Sequence, residues 1–186
     1  FIIFFDKYLF DRKMKKQKFS LITSFAMFYD INDPNSFCKD VCTLLENEGV
    51  WIVEFSYFPL LLKNLTYDQI NHEHVTYYTL STLNKILKKN GLKVLDINFN
   101  EINGGSAEVV VAKKASKRKI NIEKIKKVFE QEQLINFSSY EKFNLRLQNM
   151  KKVVNHFFSN NKKKIVGYGA STKARIKRCR ILINYP

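Results

Sequence analysis

Apolar positions along the chain fall into two rhythms. Phe19 to Met27 is a short run of apolar and β-branched residues bounded by polar ones, which predicts a buried strand. Asn32-Asp33-Pro34-Asn35 reads as a turn and helix start, with Asp33 as N-cap and Pro34 as the first helical residue. Phe37, Val41, Leu44 and Leu45 follow at helical spacing, and Gly49 is expected to close that helix. Val50 to Phe55 predicts a second buried strand. Leu80, Leu83, Ile86 and Leu87 mark a helix over 79–89, stopped by Asn90-Gly91. Leu92 to Phe99 predicts a third strand and Ala107 to Ala112 a fourth. Only the turn Asn103-Gly104-Gly105-Ser106 separates these two, so they are expected to form an antiparallel hairpin.

The order strand, helix, strand is the repeating unit of a parallel α/β sheet. Upstream of it, residues 6–18 read as a polar, basic helix or its tail. Downstream, 115–161 turn Lys-rich and predict two helices, the second starting near Ser138-Ser139. Its apolar positions are Phe143, Leu147, Met150, Val153, Val154 and Phe157. Ile165-Val166 then starts a short strand leading into Gly167-Tyr168-Gly169. The expected organisation is a partial α/β domain over 1–114, a helical connection over 115–161, and the start of a second α/β domain over 162–186.

Composition narrows the class. A chain of 186 residues with 45% hydrophobic and 26% charged residues has enough apolar surface for a packed core. The formal net charge is +15. It comes mostly from Lys in short runs such as Lys117-Arg118-Lys119 and Lys162-Lys163-Lys164, at predicted element ends and on polar helix faces. That placement favours solvated surfaces over a nucleic-acid footprint, and no recognisable nucleic-acid motif accompanies it. A basic nucleic-acid-binding protein is the competing reading; anionic nucleotide substrates are compatible with either. Cys38, Cys42 and Cys179 form neither a disulfide framework nor a zinc set, which suits a reducing, cytoplasmic setting. No run reaches the roughly 18 apolar residues that span a bilayer.

Three stretches resemble the sugar C-methyltransferases, which methylate carbon 3 of 4-keto-6-deoxy nucleotide sugars. They are Ile22-Thr23-Ser24-Phe25-Ala26-Met27-Phe28-Tyr29-Asp30; Trp51 to Leu60 with Tyr67-Asp68, His72-Glu73-His74 and Tyr77-Tyr78; and Gly167-Tyr168-Gly169-Ala170-Ser171-Thr172-Lys173. The resemblance implies the C-terminal half of a Rossmann-like class I methyltransferase sheet, followed by helices and a truncated second α/β domain. It implies S-adenosyl-L-methionine as cofactor and a small nucleotide sugar as substrate, with neither nucleic acid nor membrane as partner. It leaves the oligomeric state open. The family's cysteine-bearing zinc region and the Gly-x-Gly-x-Gly cofactor loop are not in this sequence, so weak or absent cofactor binding is expected of the chain alone. Two departures stand out: Asn71 where the family usually has Tyr, and a tail after Lys173 unlike the family's. A methyltransferase for another small acceptor is the alternative.

The candidate site follows from these residues. Position 76 is Thr, so His72-Glu73-His74 is not a His-Glu-x-x-His zinc motif, and no metal site is expected. A carbon beside a ketone must lose a proton before it attacks a methyl group, and an imidazole titrates in the right range to take it. The resemblance makes His74 the leading base and Glu73 its supporting acid/base residue. His72, Tyr77, Tyr78 and Tyr29 are then expected to shape the sugar pocket, and Ser24, Phe25 and Ala26 to border the cofactor. The competing reading is a polar loop capping the next helix, with Phe25, Met27 and Phe28 simply core. Gly167, Gly169 and Lys173 are candidates for phosphate binding; a tight strand-to-helix turn explains the same glycines.

Overall fold

The computed structural model describes residues 17–160. Four strands, β1 (Phe19–Phe25), β2 (Leu45–Ser56), β3 (Leu92–Asn100) and β4 (Ser106–Lys113), form one sheet in the order β1-β2-β4-β3. β1 and β2 are parallel, whereas β4 runs antiparallel to both β2 and β3. Five helices accompany them: α1 (Pro34–Leu44), α2 (Phe58–Asn64), α3 (Leu80–Lys89), α4 (Ile122–Gln133) and α5 (Phe137–Asn160). The expected mixed α/β sheet with its terminal hairpin is thus present, as are the two helices after it. No described helix is long and apolar enough to cross a membrane.

Local signals set most element ends. The Asp33 carboxylate accepts the Ser36 amide at 3.0 Å, with Pro34 opening α1. Thr79 does the same for α3, accepting the Thr82 amide at 3.1 Å. Gly91 ends α3 at φ 74, a conformation cheap only for glycine.

One expectation fails at Gly49. The helix ends at Leu44 and β2 begins at Leu45, four residues before the expected stop. Pairing with β1 jumps from Phe19↔Leu45 to Leu21↔Val50, so β2 carries extra residues in an irregular bulge. A Cβ on Gly49 would lie 2.7 Å from the Phe19 carbonyl oxygen. The glycine is there for close backbone approach, not for helix termination.

The core lies on one face of the sheet. Trp51, Val53 and Phe55 from β2 and Val109 and Val111 from β4 meet Phe37 and Val41 of α1, Leu83 and Leu87 of α3, and Ile125 and Val128 of α4. Phe28, Phe37 and Trp51 pack edge to face or tilted at centroid distances of 5.6 to 5.8 Å. The alternate residues Leu21, Phe25, Val50, Ile52 and Val110 point the other way, and Leu21 and Phe25 are each 53% exposed.

Candidate functional site at the carboxyl rim of the parallel strands

The parallel strands β1 and β2 end at the same rim, where ligands of open α/β sheets bind. β1 stops because the backbone reverses at Ala26, which sits at φ 51. Its amide donates to the Glu54 backbone oxygen and to Glu54 Oε2, each at 3.1 Å. A single 3-10 turn follows, Phe28–Asp30. Phe28 plunges into the core, while Tyr29 stays at the rim, 6% exposed.

The loop between α2 and α3 folds over that turn. The Tyr29 carbonyl accepts the amides of Val75 at 2.9 Å and Thr76 at 3.1 Å. This double anchor brings the His74 ring to 4.3 Å from the Tyr29 ring, tilted by 48°. Tyr77 stands 6.3 Å from His74. Asn71 holds the loop from within, its side-chain oxygen accepting the amides of Glu73 at 2.9 Å and His74 at 3.2 Å. The departure from the family pattern at this position therefore supplies an Asx turn.

The charges around these rings are acidic, in contrast to the chain as a whole. Burial pushes the Tyr29 phenol up to about 12, and the carboxylates of Asp30 and Glu54 add to that. Asp30 is itself held above the usual carboxylate range, chiefly because its carboxyl is partly shielded from water; Glu73 reinforces this and His74 opposes it. Glu54 is 3% exposed, and its Oε1 has no hydrogen-bond partner. Tyr29 thus remains protonated at neutral pH, a donor beside an imidazole.

The structure sorts the sequence-derived residues. Tyr29, His74 and Tyr77 come together, with Glu73 on the exposed side of the same loop. His72 is exposed. Tyr78 is placed apart from them: it is fully buried, 5.1 Å from Phe28 and 5.9 Å from Phe55, and so is a core ring and not part of the group around His74. An isolated parallel bridge to Tyr57 holds Tyr78 there, facing inward. Ser24 is buried and its hydroxyl accepts from Trp51 Nε1 at 3.0 Å, which ties it to the core face. Phe25 and Ala26 stay exposed at the rim, so Phe25 is not core. Gly167, Gly169 and Lys173 lie outside the described residues. Sequence reasoning missed Asp30 and Glu54. A signal for Glu54 was present, since a carboxylate inside the apolar run Val50–Phe55 must be buried with a purpose.

Comparison with known proteins gives this rim its family. The methyltransferase domain family matches residues 3–97, and the chain belongs to it. The rest of the chain, residues 101–185, matches the C-methyltransferase C-terminal domain. Among curated proteins, the C-methyltransferase NovU of Streptomyces niveus is 34% identical over 93 residues. That alignment spans 50% of this chain but 22% of NovU. Among solved structures, LepI in complex with S-adenosylmethionine aligns with a TM-score of 0.44 at 10% identity, covering 52% of this chain and 27% of its own. The magnesium protoporphyrin IX methyltransferase of Synechocystis PCC 6803 aligns at 0.41 and 13%, covering 52% and 46%.

Proposed function

We propose that this chain is part of an S-adenosyl-L-methionine-dependent C-methyltransferase whose acceptor is a carbon beside the ketone of a nucleotide sugar. The observation that carries the reading is the Tyr29–His74 pair, rings 4.3 Å apart at the carboxyl rim. The family match and the likeness to NovU support methyl transfer to carbon.

In this reading His74 takes the proton from the carbon next to the ketone. The electron pair moves onto the ketone oxygen, and the Tyr29 hydroxyl, still protonated, donates to that developing negative charge. Glu73 and Asp30 offset the charge of the imidazolium that forms. Tyr77 borders the sugar and Tyr78 supports the wall from the core; His72 lies at the outer edge.

The rim also fits the cofactor. The buried, unpartnered Glu54 Oε1 suits an ammonium group such as that of the cofactor's methionine part, beside the turn at Phe25 and Ala26. When bound, the cofactor supplies an electrophilic methyl group to the carbanion.

The test is product analysis. The chain is incubated with a 4-keto-6-deoxy nucleotide sugar and millimolar cofactor carrying a carbon-13 methyl group. A labelled methyl bonded to the ring carbon beside the ketone supports the reading. A methyl found only on oxygen contradicts it.

A further inference from the structure

A cavity of about 580 Å³ lies between α2, α4 and α5. That volume is in the range of small-molecule sites, roughly 300–1,000 Å³. One wall is aromatic. The rings of Tyr57 and Phe99 stand 5.0 Å apart, and Phe143 joins them in the lining. The lining also carries three cations, Lys63, Lys142 and Arg146. Arg146 is fixed in place, its Nη1 donating to the Leu62 and Lys63 carbonyls at 3.2 and 2.9 Å. Ser139, in the first turn of the 24-residue helix α5, also lines the cavity, so the positive end of that helix faces it.

Glu132 is the one acidic side chain in the lining, and it is already engaged. It accepts from the Tyr57 hydroxyl and the Leu80 amide, both at 2.5 Å, and from the amide and hydroxyl of Ser81. Its charge is met by the amino end of α3. A larger cavity, about 970 Å³, opens at Val50, Leu95 and Val110, and its lining is free of aromatic rings.

Aromatic faces beside a cationic edge fit a nucleotide: a base stacks on rings, and phosphates pair with Lys, Arg and helix amides. We propose that this cavity binds the nucleoside diphosphate part of a nucleotide-linked substrate, the base against Phe99 and Phe143 and the phosphates toward Lys63, Lys142 and Arg146. The location suits a substrate whose other end reacts at the rim. Tyr57 in the lining directly follows the carboxyl end of β2, and the next ring, Phe58, lies 6.3 Å from Tyr77 and 6.0 Å from Tyr140. The inference rests on the nucleotide-sugar reading above and assigns the handle by which such a substrate is held.

The experiment is calorimetric titration of the full chain with uridine diphosphate, uridine and inorganic pyrophosphate at physiological salt. One-to-one binding of the diphosphate is expected, with each fragment at least about tenfold weaker. Lys142→Glu should weaken the diphosphate by about tenfold or more, for loss of one charge-assisted contact and its replacement by repulsion. Phe143→Ala should weaken uridine as well. Lys126→Glu, on the solvent face of α4 beside Glu130, should change nothing. Far-ultraviolet circular dichroism verifies that each variant is folded. Equal weakening by Lys126→Glu and Lys142→Glu would mean diffuse attraction to a basic chain and would overturn the site. So would pyrophosphate binding as tightly as the diphosphate, or no heat with the diphosphate. If the diphosphate binds as described but the labelled methyl appears only on oxygen, the cavity stands and the carbon-methylation reading falls. Methyl transfer without diphosphate binding gives the reverse.

Discussion

Tyr29 joins two roles in one residue. Its carbonyl anchors the loop at Val75 and Thr76, and its ring faces His74. Burial, then the charges of Asp30 and Glu54, raise its phenol from 10.0 to about 12. The folded state therefore holds this proton more tightly than the unfolded chain does. Its contribution to stability is full below pH 10 and is lost as pH rises from 10 toward 12. Tyr57 and Tyr78 are raised as well, so they add the same sign of dependence. Tyr29→Phe should flatten part of this loss without abolishing it, seen as a smaller fall in Tm between pH 9.5 and 11.5, roughly. An unchanged slope would place the Tyr29 hydroxyl in water.

Among the elements, α4 packs on the core through Ile125 and Val128 and is latched to β2 and α3 by one carboxylate. Glu132 gathers the Tyr57 hydroxyl at the end of β2 and the first amides of α3, just after the loop that carries His74. Glu132→Ala should cost about 3 kcal/mol in urea unfolding, the scale of losing several bonds to a buried charged acceptor. A loss below about 0.5 kcal/mol would show the latch to be idle. None of this was legible in the sequence, where Glu132 reads as another polar residue of a Lys-rich helix. What was legible had a local cause. Asp33-Pro34 and Asn90-Gly91 are strong local helix-end signals, and short apolar runs marked all four strands. Gly49 misled because a glycine after a helical pattern has two uses, and only the partner strand decides between them. The site divided the same way. The ring pair His74 and Tyr29 came from motif and strand end, whereas Tyr78 was drawn inward by a bridge to Tyr57 that spacing alone does not reveal.

Across the whole molecule, two contrasts matter. A chain of net charge +15 gathers Asp30, Glu54 and Glu73 around the Tyr29 turn and its loop, so the rim is an acidic place on a basic surface. Among the described residues the sheet is equally one-sided. Its core face is covered by α1, α3 and α4, while Leu21 and Phe25 of β1 remain more than half exposed. Sheets with parallel strands are ordinarily covered on both faces, so this patch should take up an apolar dye. Phe25→Lys should lower anilinonaphthalene sulfonate fluorescence by about a third or more, and unchanged fluorescence would locate the dye elsewhere. In the proposed reaction His74 removes a proton from a ketone-activated carbon. Proton removal leaves a mark without methyl transfer, because the carbon exchanges its hydrogen with solvent. The most direct measurement is therefore NMR of a 4-keto-6-deoxy nucleotide sugar in heavy water with the chain and with His74→Ala. The account predicts deuterium entering at the carbon beside the ketone, slowed by about 100-fold or more in the variant. Exchange at the same rate in both would contradict it.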